Sequence, residues 1–362
     1  MKRIGAVLLA FLLVMTIPAY AEDTLTEVAE MAEGEIPGTE AAEENGSAEA
    51  GVPVPEWADV KLNSRGFTDA GEYVFEDEEN GHWMYVNQTI RVVIERTYEK
   101  LPKAKKGDPE QAFYCFTANI WCDVEAGELP TILDANPSAP RTDKKFIKDI
   151  GAEHKAVFAT STDYYTYRVG RKKEDKNYHI GIEIRNGEVY YDDPNPKVPN
   201  MPNYEVIALY RDGSAECNLS KDKGAKAYLA DGAWQAFTFG PCLVRDGQVT
   251  EYVIKKGNRK NNPRMAIGVA EPGHYIVVLC EGRLAKSKDR LKSTGVIMEN
   301  LANLMVDRGC TIAMNMDGGE TAVFAFMGKQ LNRVVKTDPN GRKSVEALGF
   351  GTWGENRTEE VR

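Results

Sequence analysis

The sequence predicts an α+β protein built on a large mixed or mostly antiparallel sheet flanked by helices. Three observations carry that prediction. Apolar residues recur with a period of two in many short runs. Turn dipeptides such as Asn186-Gly187 and Asp246-Gly247 separate those runs. Few segments have helical spacing, and no repeat of fixed period is present.

In chain order, Lys2 and Arg3 precede an uncharged, mostly apolar run from Ile4 to Ile17, then Pro18 and Ala19-Tyr20-Ala21. A basic start, an apolar middle and a small-x-small end predict a signal peptide over residues 1–21, cut after Ala21. A membrane span needs roughly 20 apolar residues, and Pro18 stops this run short. No later segment is long and apolar enough, so the mature chain is expected to be secreted or at the cell surface, with no membrane span.

Residues 22–55 form an acidic spacer. Glu22 to Ala50 holds ten acidic residues and no Lys or Arg. Such a stretch buries too little apolar surface to offset its ordering entropy, so disorder is expected. It also accounts for the net charge of −10. The chain beyond the spacer is near neutral and has no basic stripe with interleaved aromatics, which argues against a nucleic-acid partner.

About 300 residues then remain, room for one large domain or two modest ones. They divide into an amino-terminal β-rich portion (56–150), a main domain (151–355) and a short tail (356–362). Six cysteines (Cys115, Cys122, Cys217, Cys242, Cys280 and Cys310) permit three disulfides in any of 15 pairings, or stay as buried thiols. They form no C-x-x-C pair or Cys-His cluster that would suggest zinc.

His82 to Glu95 reads as one strand, and Phe113 to Val124 as its partner. Cys115 and Cys122, an odd number of positions apart, should face opposite sides of that partner. Lys155 to Thr160 reads as a buried strand ending in Ser161-Thr162-Asp163-Tyr164-Tyr165. Two hairpins come next, one around Arg185-Asn186-Gly187-Glu188 and one at Asp212-Gly213, with a loop rich in Pro, Asn and Asp (192–202) between them. Lys221 to Trp234 has helical spacing. Arg264 to Ala270 and His274 to Cys280 read as strands joined by Pro272-Gly273. The best-defined helix is expected from about Gly295 to Arg308, capped by Ser293 or Thr294, with Ile297, Leu301, Leu304 and Met305 facing a core and Gly309 ending it.

That helix leads into an apolar strand, Cys310 to Met314, and then Asn315-Met316-Asp317-Gly318-Gly319. The strand carries a carboxylate and an amide to a sheet edge, and the two glycines allow backbone to approach a ligand closely. Open N–H groups there could hold a sugar or an oxyanion. The bland alternative is an Asx turn in which Asp317 serves only the bend.

Ordered motifs weigh against that alternative. Pro263-Arg264-Met265-Ala266-Ile267-Gly268, Glu281-Gly282-Arg283 and Asn315-Met316-Asp317-Gly318-Gly319 together resemble the signature of the phosphodiester glycosidase family. Phe239-Gly240-Pro241, Asp163-Tyr164-Tyr165 and Ile184-Arg185-Asn186-Gly187 are similar to further family elements, so the resemblance covers about Lys155 to Gly351. It implies a phosphodiester glycosidase-like catalytic domain over 151–355 and a glycan or sugar-phosphate substrate. The departures are Met265 for Thr, Glu281 for Asp, Ser161-Thr162 before Asp163 where the family has Asn-Gly, and Glu320-Thr321-Ala322 where it has Gly-Ser-Ser.

Cleaving a sugar phosphodiester needs a carboxylate near C1 and a cation on the phosphate. Asp317 is the choice for the catalytic carboxylate, Asn315 for orienting a sugar hydroxyl, and Asp163 is the candidate second carboxylate, with a turn cap as its bland alternative. Arg264 is the choice for the phosphate, because a guanidinium grips an oxyanion with two parallel bonds. Gly318, Gly319, Gly240, Arg185, Arg283 and Glu320 complete the expected substrate contacts. Such chemistry requires no cofactor. The oxygen ligands of Asp192-Asp193-x-Asn195 could take a calcium ion, although nothing else in the sequence asks for one. The rival reading is a non-catalytic carbohydrate-binding or surface-interaction domain whose turn chemistry was lost at Glu320 to Ala322. A peptidase has no nucleophile elbow or ordered triad to support it.

Overall fold

Period-two patterning becomes sheet almost throughout. A computed structural model describes residues 54–165, 180–193, 205–335 and 338–354. The expected signal peptide, nearly all of the spacer, most of the 192–202 loop with Asn195, and the tail lie outside those residues.

The largest sheet has nine strands in the order β1 (Tyr73–Asp77), β2 (His82–Val86), β3 (Ile90–Leu101), β4 (Gln111–Cys122), β16 (His274–Cys280), β15 (Arg264–Glu271), β17 (Ile312–Met316), β13 (Cys242–Arg245) and β14 (Gln248–Val249). A second sheet runs β11 (Ala215–Leu219), β10 (Glu205–Tyr210), β12 (Ala233–Phe239), β8 (Gly181–Arg185) and β9 (Glu188–Asp193). A third runs β19 (Lys329–Gln330), β18 (Phe324–Phe326), β7 (Ala156–Thr160), β21 (Glu346–Thr352) and β5 (Thr131–Asp134). A short ribbon pairs β20 (Lys343–Ser344) with β6 (Lys145–Phe146). Every strand pairing among the described residues is antiparallel.

The expected hairpins form. Asn186 and Gly187 both take positive φ (51° and 79°), as the tight turn between β8 and β9 requires. The single strand expected over His82–Glu95 is instead a hairpin of β2 and β3. The Asn87 carboxamide oxygen accepts the N–H groups of Thr89 and Ile90, both at 2.9 Å, and folds the chain back there.

Flanking helices are a smaller part of the architecture than expected. The four described helices are α1 (Ile147–Glu153), α2 (Ala225–Ala230), α3 (Glu251–Lys256) and α4 (Met298–Asp307). The predicted stripe is real, since Leu301, Leu304 and Met305 of α4 pack on Ala266, Val278 and Ala313 of the nine-stranded sheet. Its start is three residues later than expected, and neither Ser293 nor Thr294 caps it. Their hydroxyls instead accept the N–H groups of Tyr114 and Ala112.

The main core lies between the nine-stranded sheet and the two five-stranded sheets. Ile267, Tyr275 and Val277 meet Leu209 and Phe237 of one and Phe158, Phe324 and Phe350 of the other. Fully burying each such side chain stabilises by about 1.5–3 kcal/mol. Cys122 points into this core and Cys115 to the face covered by α4, as their odd spacing predicts. All six cysteines are buried as thiols. Among the described residues no helix is long and apolar enough to cross a membrane.

Candidate active site

Three neighbouring strands bring the chemistry together. Met265 of β15 faces Met316 of β17, and Arg264 faces Cys280 of β16. Because the strands run antiparallel, the start of β15 meets the ends of β16 and β17. Arg264, Asp317 and Arg283 therefore arrive at one end of the sheet from three distant stretches of sequence. They line a pocket of about 340 Å³, together with Asn315, Gly318, Gly319 and Glu320.

Arg264 is buried (7% exposed). Its Nε donates to the Val296 carbonyl at 2.9 Å and its Nη2 to the Lys260 carbonyl at 3.2 Å. Among the described residues no carboxylate forms an ion pair with it. Burial pushes its pKa down to about 10, and the nearby Arg283 charge acts in the same direction. A buried cation that lacks a counter-charge is a site where an anion gains much.

Asp317 is the converse. Burial pushes its carboxyl up to about 6, against the N–H groups of Tyr165 and Gly318 and the Arg342 charge, with Asp163 adding to the rise. The Tyr165 N–H donates to its Oδ2 at 3.1 Å. The bend behind it needs both glycines. A Cβ on Gly318 would lie 2.5 Å from the Pro263 carbonyl oxygen, and Gly319 has φ +67°. Asn315 donates from Nδ2 to the Gly240 carbonyl at 2.9 Å, which fixes the amide's plane.

The turn after β16 is anchored from below. Glu281 is buried and accepts from Arg333 and Arg290. Arg283 takes a left-handed φ of 56°, a conformation costing a non-glycine residue roughly 1–2 kcal/mol, and donates to the Asn262 side chain.

Asp163, Arg185 and Gly240 do not line the pocket. Asp163 is buried, with Oδ1 accepting from Arg185 (3.2 Å) and Oδ2 from the Thr238 N–H (3.0 Å). Arg185 is committed to Glu346, Asp163 and the Ala236 carbonyl. Burial opposes its charge, but Glu346, Asp163 and Glu183 hold its pKa above the ordinary arginine range. Gly240 stands behind Asn315 rather than in the wall.

Sequence reasoning missed Arg342, which lines the pocket and pairs with Glu320 at 3.3 Å. Its guanidinium also lies 4.7 Å from the centroid of the Tyr165 ring. No local motif marks it. Phe239 is a wall residue as well, and the Phe239-Gly240-Pro241 element was its signal. Among the described residues no group of three or more His, Cys, Asp or Glu side chains is placed to hold a metal ion.

The pocket thus gathers three guanidinium groups and two carboxyls at one end of an antiparallel sheet. The phosphodiester glycosidase family matches residues 154–350, more than half of the chain, and the chain belongs to that family. It is similar to an uncharacterized SPbeta prophage-derived protein, YomE, of Bacillus subtilis (strain 168), at 25% identity over 171 residues. That stretch is 47% of this chain but 25% of the relative, so the chain spans about a quarter of that relative's length. The fold is similar to the catalytic domain of zebrafish N-acetylglucosamine-1-phosphodiester alpha-N-acetylglucosaminidase, auto-inhibited by its pro-peptide. The two share 13% identity with a TM-score of 0.52, over 73% of this chain and 89% of that one. A hypothetical protein from Synechocystis gives a TM-score of 0.45 at 13% identity, over 73% of this chain and 62% of that one.

Proposed function

We propose that this protein is an exported hydrolase that cleaves the glycosidic bond of a sugar-1-phosphodiester, in a cell-wall polymer or an exopolysaccharide. The observation that carries the reading is the juxtaposition, in one pocket, of a buried Arg264 that pairs with no carboxylate among the described residues and an Asp317 whose carboxyl burial pushes up to about 6.

Arg264 binds the phosphate through a charge-assisted pair of bonds, with Arg283 and Arg342 adding positive field. The anomeric carbon then sits toward Asp317. Cleavage of the C1–O bond passes through an oxocarbenium-like state that a carboxylate stabilises. The leaving group is a phosphate monoester with a second pKa of about 6, so it departs without strong acid assistance. Water attacks C1 as the C1–O bond breaks, its hydroxyl staying on the sugar and its remaining proton passing to the released phosphate monoester or to solvent. Asn315 orients a sugar hydroxyl from the side, and Phe239 offers the ring a flat wall. Asp163, held by Arg185 behind the pocket, braces the wall rather than contacting substrate. The reaction written this way draws on no cofactor.

The test is release of free sugar from a panel of sugar-1-phosphodiesters. The wild type should turn over at least one, and Asp317→Asn should lower kcat by about 10²–10⁴-fold with no loss of melting temperature. A second reading, a non-catalytic carbohydrate-binding domain, is favoured by the Glu320–Arg342 pair, which occupies a cation at the pocket wall. A wild type inert on every diester yet able to bind glycan would support it.

A further inference from the structure

Four of the six buried cysteines stand as two neighbouring pairs, and the chemistry proposed above uses none of them. Cys115 of β4 and Cys280 of β16 are directly opposed in register. The next pair along, Tyr114 and Glu281, is joined by the Glu281 N–H donating to the Tyr114 carbonyl at 2.9 Å. Hydrogen-bonded and non-hydrogen-bonded pairs alternate along an antiparallel ladder, so Cys115 and Cys280 form the narrow kind, with Cα atoms about 4.5 Å apart. That separation lies within the span of roughly 4.4–6.8 Å that a disulfide bridges. Both side chains belong to the cluster under α4, and their sulfurs are electrostatic neighbours.

The second pair is Cys217 of β11 and Cys242 of β13. Both belong to the main core, where the two sulfurs are electrostatic neighbours and the Cys242 thiol donates to the Val244 carbonyl at 3.3 Å. Arg245 ties the two strands by donating from Nη2 to the Cys217 carbonyl at 2.8 Å. Cys122 and Cys310 differ, since their electrostatic neighbours are Glu128 and Arg308 rather than another sulfur.

We propose that Cys115–Cys280 and Cys217–Cys242 are redox pairs that close into two disulfides, leaving Cys122 and Cys310 as thiols. Each closure forms one S–S bond and removes two protons and two electrons from a thiol pair. A disulfide-bearing oxidant, protein or small molecule, takes them up by thiol exchange and leaves as its dithiol. In the folded chain Arg308 lies 3.6 Å from the Cys115 sulfur. All four sulfurs are buried, so exchange takes place while the sheets are still assembling.

The positions of the pairs give the bridges a purpose. Cys280 faces Arg264 and directly precedes Glu281-Gly282-Arg283. Cys242 directly follows Phe239-Gly240-Pro241 and faces Met314, one residue before Asn315. Both cystines would fasten the pocket wall from behind.

The test produces the full-length chain in parallel in a reducing and in an oxidising bacterial compartment, with free thiols alkylated under denaturing conditions. The expected result is six alkylated thiols from the reducing compartment, the full complement, and two from the oxidising one. Non-reducing peptide mapping of the oxidised chain should show Cys115 linked to Cys280 and Cys217 to Cys242. Six thiols in both preparations, or any cross-link through Cys122 or Cys310, overturns the proposal.

Discussion

Asp317 is held in a place that opposes its own ionisation. Its pKa is about 6 in the folded chain against 3.8 for the free side chain, so between those values the folded state keeps a proton that the unfolded state has released. The stability contributed by this group is fully present below about pH 4 and is lost as pH rises through 6. The loss is on the order of 3 kcal/mol. Asp317→Asn stays neutral throughout, so chemical denaturation should show the variant gaining on the wild type from pH 4 to pH 8. Parallel pH profiles for the two would contradict the burial argument. Motif order made Asp317, Arg264 and Asn315 legible, since each sits beside a turn or strand end that marks it. Arg342 was not legible, because its neighbours Glu320 and Tyr165 are remote in sequence. Asp163 was read as a second catalytic carboxylate and Arg185 as a substrate contact, whereas the two pair with each other in the interior, with Glu346 also on Arg185, an arrangement that only tertiary packing decides.

At the level of elements, the pocket depends on three strand ends lying flush. Gly318 and Gly319 serve this in different ways, and alanine substitutions should separate them. Gly318→Ala drives a Cβ into the Pro263 carbonyl, backbone that cannot step aside, and should cost about 1–3 kcal/mol along with pocket function. Gly319→Ala meets open space at φ +67° and should cost only the left-handed strain, roughly 1–2 kcal/mol. Urea midpoints and diester turnover report both, and a Gly318→Ala protein as stable and active as wild type would refute the close approach. The turn dipeptides were readable because Asn-Gly and Pro-Gly act locally. The start of α4 was not, because Ser293 and Thr294 spend their hydroxyls on the neighbouring strand β4 and its approach. The Asn87 turn was hidden inside an alternating pattern that continues on both sides of it.

Across the whole molecule, strands from before and after residue 150 share the nine-stranded sheet. β4 lies beside β16 over seven register pairs, although the family match begins at residue 154. Removing residues 1–150 would leave β16 as an open edge with unpaired backbone groups. A chain of residues 151–355 should therefore aggregate or lack a cooperative thermal transition by circular dichroism, and a soluble, cooperatively melting fragment would contradict this. The family motifs could not reveal that dependence, because the long pairing of β3 with β4 carries no motif. The measurement that bears most directly on the site is a crystal structure of the Asp317→Asn protein soaked with a sugar-1-phosphodiester. The account predicts phosphate oxygens within hydrogen-bonding distance of the Arg264 guanidinium and the anomeric carbon turned toward position 317. A diester bound elsewhere on the chain, or one whose phosphate avoids Arg264, would contradict it.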